Sequence, residues 1–325
     1  MKPIRVLFAG TPEVALPALD LLVADDRFRV VAVLTNPDRP RGRSATPQPS
    51  AVASRAAEFA LPLLQPQRVR DAIGAIRDAG ADVGAIVAYG SILPPAVLDA
   101  LPLGFVNLHF SLLPRWRGAA PVQHAIRAGD AVTGVTAFRL DAGMDTGPVL
   151  RSLERPISDR IDAGALLAQL AVEGAPVLAE ALLAVANGEP GTPQPVDGAT
   201  LAPRIGAADA VVDWRRPACE VAAHVRSVTP RPGASTTLAG EPLKVADALL
   251  VRPSPDVLPD VPADDTQPGT VVRVDGEGIV VRCGDGLVHI ARLQLPGRAW
   301  TAAADLARGR RLGVGMVLGT VTPST

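Results

Sequence analysis

Three side chains stand out as able to handle a proton together: Asn107 and His109, two residues apart, and Asp145, set among glycines. The segment Gly104 to His109 reads as a strand, so alternation puts Asn107 and His109 on one face. Ser111 follows closely. An amide, an imidazole and a hydroxyl at the end of a central strand are costly to bury without partners. Further on, Leu140-Asp141-Ala142-Gly143-Met144-Asp145-Thr146-Gly147 is a glycine-flanked loop between two strand-like runs. Such a loop can present the Asp145 carboxylate to the imidazole. Two readings fit these residues taken alone. One is a proton-handling site. The other is a hydrogen-bonded core histidine with an asparagine beside it, and an aspartate that forms a turn.

The elements that would position these groups follow from the pattern of apolar residues. Ile4 to Phe8 is a strand ending at Ala9-Gly10. Pro12 to Ala24 has helical spacing, with Thr11 as its expected N-cap and Pro12 as its first residue. Val30 to Leu34, Val83 to Ala88 and residues 105–109 are further strands, and residues 50–60 and 68–79 are helices. This alternation predicts an α/β fold: a Rossmann-like, mostly parallel sheet covered by helices, with ligands bound outside the carboxyl ends of its strands. Residues 161–187 read as one long helix or a broken pair. Gly188 to Pro203 is dense in glycine and proline and reads as a linker. Beyond it, a helix at 215–228 and short strands at 241–246, 270–274, 278–282 and 286–293 predict a smaller, β-rich, barrel-like C-terminal domain. The expected boundaries are 1–189, a linker at 190–207, and 208–325. Residues 252–268, rich in proline and aspartate, are expected to be a flexible loop.

Composition narrows the function classes. The 325 residues carry 32 basic and 33 acidic groups, a formal charge of −1, which argues against a chain that coats nucleic acid over its whole surface but leaves room for a local basic patch. Only two of the basic residues, Lys2 and Lys244, are lysine. Such a skew follows from genome composition more readily than from function. Two cysteines, Cys219 and Cys283, are too few for a disulfide framework or a cysteine-based zinc site. The four histidines form no H-x-x-x-H pair, so no metal site is expected. Neither a long uninterrupted apolar run nor a signal-peptide pattern is visible, which makes the cytoplasm the expected compartment. The first strand-to-helix turn, Gly10-Thr11-Pro12-Glu13, has one glycine where a dinucleotide site wants three.

Several segments together are familiar. Phe8 to Pro12, Pro37 to Pro40, Val87 to Gly90, Asn107 to Pro114, Arg115 to Pro121, Gly143 to Gly147, Val212 to Trp214, Pro230 to Ala234 and Gly284 to Gly286 resemble the 10-formyltetrahydrofolate-dependent formyltransferases over nearly the whole chain. The run from Trp116 to Pro121 and the C-terminal segments resemble the tRNA-dependent branch of that family.

The resemblance implies transfer of a formyl group from 10-formyltetrahydrofolate to the amino group of methionyl-initiator tRNA, in translation initiation. It implies Asn107, His109 and Asp145 as the catalytic residues, and Ser111, Leu112, Leu113 and Pro114, with Tyr89 and Gly90, at the folate site. It places a tRNA-contacting loop at 36–50, where this chain has Arg39, Arg41 and Arg43 in place of the family's common lysine pair. It further implies a monomer with no membrane attachment. Where the family has glycine after the histidine, this chain has Phe110. Arginines at 282, 292, 298, 308, 310 and 311 make the C-terminal end a second expected RNA-facing patch.

Overall fold

The computed structural model describes residues 2–40, 46–251, 266–309 and 311–319. Arg41, Arg43, Arg310 and most of the 252–268 segment lie outside the described residues. The chain divides into two compact units. The first comprises Met1–Pro121, Val132–Arg155 and Leu167–Ala202, and the second comprises Val122–Ala131, Pro156–Leu166 and Pro203–Thr325. Residues 190–202, read from their glycines and prolines as part of a linker, therefore group with the first unit.

The first unit is built on a seven-stranded sheet. Its strands are β1 (Ile4–Gly10), β2 (Phe28–Leu34), β5 (Leu63–Leu64), β6 (Val83–Val87), β7 (Phe105–His109), β8 (Val132–Arg139) and β9 (Val149–Pro156), and a separate two-stranded hairpin joins β3 (Arg39–Pro40) to β4 (Pro47–Gln48). The order across the sheet is β5-β2-β1-β6-β7-β8-β9. Pairing is parallel from β5 through β7, and β8 lies antiparallel to β7. The expected mostly parallel sheet is thus present. The central strands β1 and β6 are almost wholly buried, as strands covered on both faces must be. Chain order reverses between β1 and β6, and that switch point opens a crevice at the strands' carboxyl ends.

Helices α1 (Leu16–Ala24), α2 (Ala51–Glu58), α3 (Ile73–Asp78) and α4 (Pro95–Leu98) connect the parallel strands. The first of them starts later than its sequence suggests. A 3-10 turn over Glu13–Ala15 precedes it, and Pro12 is the cap residue of that turn. Thr11 does not cap. Its hydroxyl instead donates to the Tyr89 carbonyl at 2.9 Å, linking the ends of β1 and β6. A side-chain cap occurs instead at α2, where Ser50 Oγ accepts from the Ala53 amide at 2.9 Å. Following α5 (Pro121–Arg127), α6 (Ala163–Ala186) is a single helix of 24 residues despite Pro176. By length and composition it could cross a membrane, but Leu170, Ala171, Leu178, Ala181, Leu182 and Val185 form a buried stripe at helical spacing. That stripe is the signature of a core helix.

The second unit carries α7 (Ala218–Val228) and an antiparallel sheet of β10 (Ala234–Leu238), β11 (Glu241–Val251), β12 (Val271–Val274), β13 (Ile279–Arg282), β14 (Leu287–Gln294), β15 (Thr301–Ala302) and β16 (Leu318–Gly319), with α8 (Ala303–Arg308) between the last two. The path runs β12-β13-β14-β11-β10-β16, and β15 pairs with β14. Its two edges meet: the Val271 amide donates to Met316 O, the Leu318 amide donates to Gly269 O, each at 2.8 Å, and Thr270 bridges Val317. Closure removes the exposed edges of an open sheet and makes the unit barrel-like. Val245, Ile279, Val281, Val288, Ile290 and Leu293 fill the interior together with Trp214. The indole N–H of Trp214 is satisfied by Thr236 Oγ1 at 3.0 Å.

Candidate active site

The carboxyl end of β7 delivers the expected pair. Asn107 lies opposite Phe138 and His109 opposite Thr136 in the β7–β8 register, so both project from one face. Asn107 is half-buried and His109 only 6% exposed. The His109 ring meets Phe138 edge-on, with centroids 6.5 Å apart. Its Nε2 lies 2.8 Å from the carbonyl oxygen of Trp116. A carbonyl only accepts, so Nε2 carries a proton and donates it there. Its other nitrogen, Nδ1, lies 3.7 Å from Asp145 Oδ2. In the neutral ring Nδ1 is consequently the basic atom, and it faces the carboxylate.

Burial pushes the His109 pKa below the usual histidine value. The Asp145 charge and the hydrogen bond to Trp116 pull the other way. The downward pull of burial prevails, because the ring is almost wholly removed from water.

Asp145 is held in a loop that its neighbours prescribe. Asp141 Oδ1 accepts from the Gly143 amide at 3.0 Å and from Thr146 Oγ1 at 2.7 Å. Asp145 itself has φ +53°, and Met144 beside it is 61% exposed. The loop closes on Gly147, where an added Cβ would stand 1.8 Å from the Arg139 carbonyl oxygen. Replacing Gly147 by alanine is therefore expected to destabilise the protein by about 1–3 kcal/mol, in line with other overpacked sites, as measured by urea unfolding.

The other loop of the site, Trp116 to Gly118, touches both catalytic candidates. The carbonyl of Trp116 accepts a hydrogen bond from His109 Nε2, and the Gly118 amide donates to Asp145 Oδ2 at 2.8 Å. Trp116 has φ +63° and Gly118 has φ +122°. A Cβ at Gly118 would lie 2.8 Å from Ala202 O, so only glycine fits there. This loop is held in turn by the segment 192–202. Trp116 N donates to Thr200 Oγ1 at 2.9 Å, Arg117 N to Thr200 O at 2.9 Å, and Ala202 N to Arg117 O at 2.7 Å. Residues 192–202 form a strap across the site rather than a slack tether. Nothing in their composition announces this, because glycines, prolines and single polar residues also make ordinary linkers.

The remaining expected residues fall near the same strand ends in differing roles. Ser111 is fully buried, and its hydroxyl donates to the Arg115 carbonyl at 2.6 Å. Thr136 Oγ1 donates to Ser111 O at 2.7 Å and accepts from Leu113 N at 3.1 Å. Ser111 thus shapes the turn that carries Leu112, Leu113 and Pro114, all partly exposed. Phe110, at the position where glycine is common in the family, is buried.

Tyr89 and Gly90 sit at the end of β6, beside a cavity of about 330 Å³ lined by Asn36, Arg68, Val69, Arg70, Ser91 and Ile92 among others. Asn36 Nδ2 donates to Tyr89 O at 2.8 Å and to Thr11 Oγ1 at 3.0 Å, and its Oδ1 accepts from Ser91 Oγ at 3.2 Å. Thr11, expected to cap a helix, and Asn36, not singled out from the sequence, both shape this end of the sheet. Each is a polar residue within two positions of the end of a buried strand, and that position was the available signal.

The expected RNA-facing arginines separate. Arg39 is exposed on β3. Arg115 stacks its guanidinium 4.4 Å from the Trp116 ring. Near the C-terminus, Arg282 is only 9% exposed, Arg292 pairs with Asp247, and Arg308 pairs with Asp305. Arg298 and Arg311 remain exposed. Among the described residues, no three His, Cys, Asp or Glu side chains gather where a metal ion could bind.

Comparison with known proteins adds to this geometry. A family model described as formyl transferase matches residues 2–182, and one described as the formyl transferase C-terminal domain matches residues 204–311. The chain is 45% identical over 308 residues to a methionyl-tRNA formyltransferase of Arthrobacter sp. strain FB24, covering 94% of this chain and 97% of that one. It is 43% identical over 318 residues to the methionyl-tRNA formyltransferase of Streptomyces coelicolor, covering 97% and 99%. Among solved structures, the fold is similar to HypX from Aquifex aeolicus in complex with tetrahydrofolic acid, with TM-score 0.64 and 17% identity over 97% of this chain and 48% of HypX. It is also similar to an N-formyltransferase from Helicobacter canadensis in complex with folinic acid and dTDP-3-aminofucose, with TM-score 0.65 and 16% identity over 88% and 98%.

Proposed function

The chain belongs to the formyl transferase family, and from that premise we infer that it transfers the formyl group of 10-formyltetrahydrofolate to the amino group of methionyl-initiator tRNA, giving formyl-methionyl-tRNA for translation initiation. The observation that carries this reading is the match to methionyl-tRNA formyltransferases over nearly the full length of both partners, including the second unit.

The residues fit the chemistry. An α-amino group has a pKa of roughly 7.7–8.0, so a useful fraction is neutral near pH 7 and can attack without a strong base. As its nitrogen bonds to the formyl carbon, the carbonyl oxygen gains charge and the amine becomes acidic. Asn107 supplies an amide donor to the oxyanion. His109 is neutral and fixed by Trp116, so Nδ1 is free to accept the amine proton. The imidazolium that forms is stabilised by the Asp145 carboxylate 3.7 Å away. The proton then passes to the leaving nitrogen of the folate as its bond to the formyl carbon breaks. The adjacent cavity suits the donor: Val69 and Ile92 offer apolar contact to flat rings, and Arg68 and Arg70 offer charge to carboxylates.

Arg39 and the neighbouring Arg41 and Arg43, with the exposed Arg298 and Arg311, supply the positive charge that an RNA backbone requires. The protein works as a monomer in the cytoplasm, where methionyl-tRNA is made and used.

Incubation with 10-formyltetrahydrofolate and methionyl-tRNA tests the function, with formyl-methionine released by base as the readout. Formylation of an amino sugar nucleotide, with none of methionyl-tRNA, would overturn it. A second measurement tests the protonation assignment. The His109 imidazole is expected to titrate below its ordinary 6.5. Asp145→Asn should move it lower still, because the carboxylate is what opposes burial. An upward move, followed by NMR, contradicts the arrangement. On the same logic the transfer rate falls on the acid side, where the ring is charged and Nδ1 no longer accepts.

A further inference from the structure

We propose that Gln194 is the positioning residue that holds the two catalytic loops in register, a role that rests on the reading of His109 and Asp145 above. Its side chain is half-buried and uses both ends. Nε2 donates to two carbonyls of the aspartate loop, Asp145 O at 2.9 Å and Gly147 O at 2.8 Å. Oε1 accepts from Arg117 on the other loop, from Nη2 at 2.6 Å and from Nε at 3.2 Å. One amide thus ties the backbone that carries the Asp145 carboxylate to the residue between Trp116, which orients His109, and Gly118, which orients Asp145.

The chemistry of the site calls for a primary amide here, which Gln194 supplies. Two carbonyls on one side demand a group with two N–H donors, and the guanidinium on the other demands an acceptor. A primary amide is the side-chain group that offers both. Glutamate keeps the acceptor and loses the donors. Lysine and arginine do the reverse.

The strap places this amide by its backbone. Thr192 exchanges both of its hydrogen bonds with Val149, at 2.7 and 2.8 Å, and Leu201 bridges Arg117. Between those anchors Gln194 faces the loops. With the anchors formed by main chain, the side chain can be changed without removing the strap, which separates positioning from folding.

The effect expected of losing Gln194 is specific. Asp145 has φ +53°, a conformation that a non-glycine residue keeps only while its surroundings enforce it. Without the two bonds to its carbonyl and that of Gly147, the carboxylate moves off Nδ1. His109 then loses the attraction that opposes burial, and the imidazolium formed during transfer loses its partner.

The test uses the full chain with Gln194→Ala and Gln194→Glu, each checked for native circular dichroism and a cooperative thermal transition. NMR titration of His109 needs no substrate. In the alanine variant its midpoint is expected to fall by about half a pH unit or more, towards that of Asp145→Asn, and in the glutamate variant by less, because the added carboxylate favours the charged ring. Single-turnover formyl transfer is expected to drop about tenfold or more, equivalent to about 1.4 kcal/mol, with KM for the folate donor within about twofold. A residue of purely structural importance would lower the melting temperature and leave the titration and rate of the folded protein unchanged. An unchanged His109 titration in both folded variants overturns the proposal. Failure of the wild-type protein to formylate methionyl-tRNA would overturn the substrate reading instead, and the titration would still decide the role of Gln194.

Discussion

Replacing His109 by alanine is expected to lower single-turnover formyl transfer by about two to four orders of magnitude, the range for loss of a positioned acid–base group. The expectation rests on the fixed tautomer. Because Trp116 O accepts from Nε2, the ring has one basic nitrogen, and it is the one beside Asp145. Alanine removes the proton acceptor and leaves the amine proton to water. Asparagine at 109 would restore a donor to Trp116 but offer no basic nitrogen, so His109→Asn should be almost as slow while folding better. Rapid-quench kinetics at saturating donor measure the effect. A loss smaller than tenfold in the folded alanine variant would remove His109 from the proton path.

Asn107→Ala carries the second large effect, about 10²–10³ in rate, equivalent to roughly 2.7–4 kcal/mol for a preorganised oxyanion donor. The side chain is half-buried on the same face as His109, and it stands on backbone fixed by strand pairing on both sides, with Ile86 on one and Phe138 on the other. Its cost of reorganisation during the reaction is therefore small. The loss should appear in kcat with little change in KM, since the charge on oxygen exists only as the bond forms. Asn107→Asp sharpens the test. The shape is nearly kept, but a carboxylate facing the developing oxyanion repels it, so the aspartate variant should be slower than the alanine variant. Equal or faster transfer by Asn107→Asp would sink the oxyanion role.

The strand that carries Asn107 and His109 and the glycine loop that carries Asp145 were legible as elements. Their residues alone also fit a hydrogen-bonded core histidine and a turn-forming aspartate, and it was the resemblance to the formyltransferases that singled them out. The parallel sheet was legible from its runs of apolar residues. Other parts were not. Thr11 has the chemistry of a cap, but the nearest strand end offered its hydroxyl a carbonyl first. Arg282 looks like a surface charge, yet every residue of β13 is buried, so alternation gave no warning. The strands β15 and β16, the second of them at the edge where the barrel closes, are two residues long and too short to show a period. Gln194 lies in a stretch whose order comes from main-chain bonds to Val149 and Arg117, and backbone pairing with distant residues leaves no mark on local composition.

The strap also bears on when the protein becomes competent during its own synthesis. A ribosome makes the Trp116 loop first, then the Asp145 loop, and reaches the glutamine that joins them 77 residues after Arg117 and 49 after Asp145. Every strand of the first sheet has been translated by then. A nascent or truncated chain ending near residue 190 would hold that complete sheet with Asn107, His109 and Asp145, yet lack the bonds from Gln194 and Thr200 that hold the two loops. The bonds that tie the loops together form only with the stretch up to Ala202, so a fragment meant to keep them has to be cut after that residue.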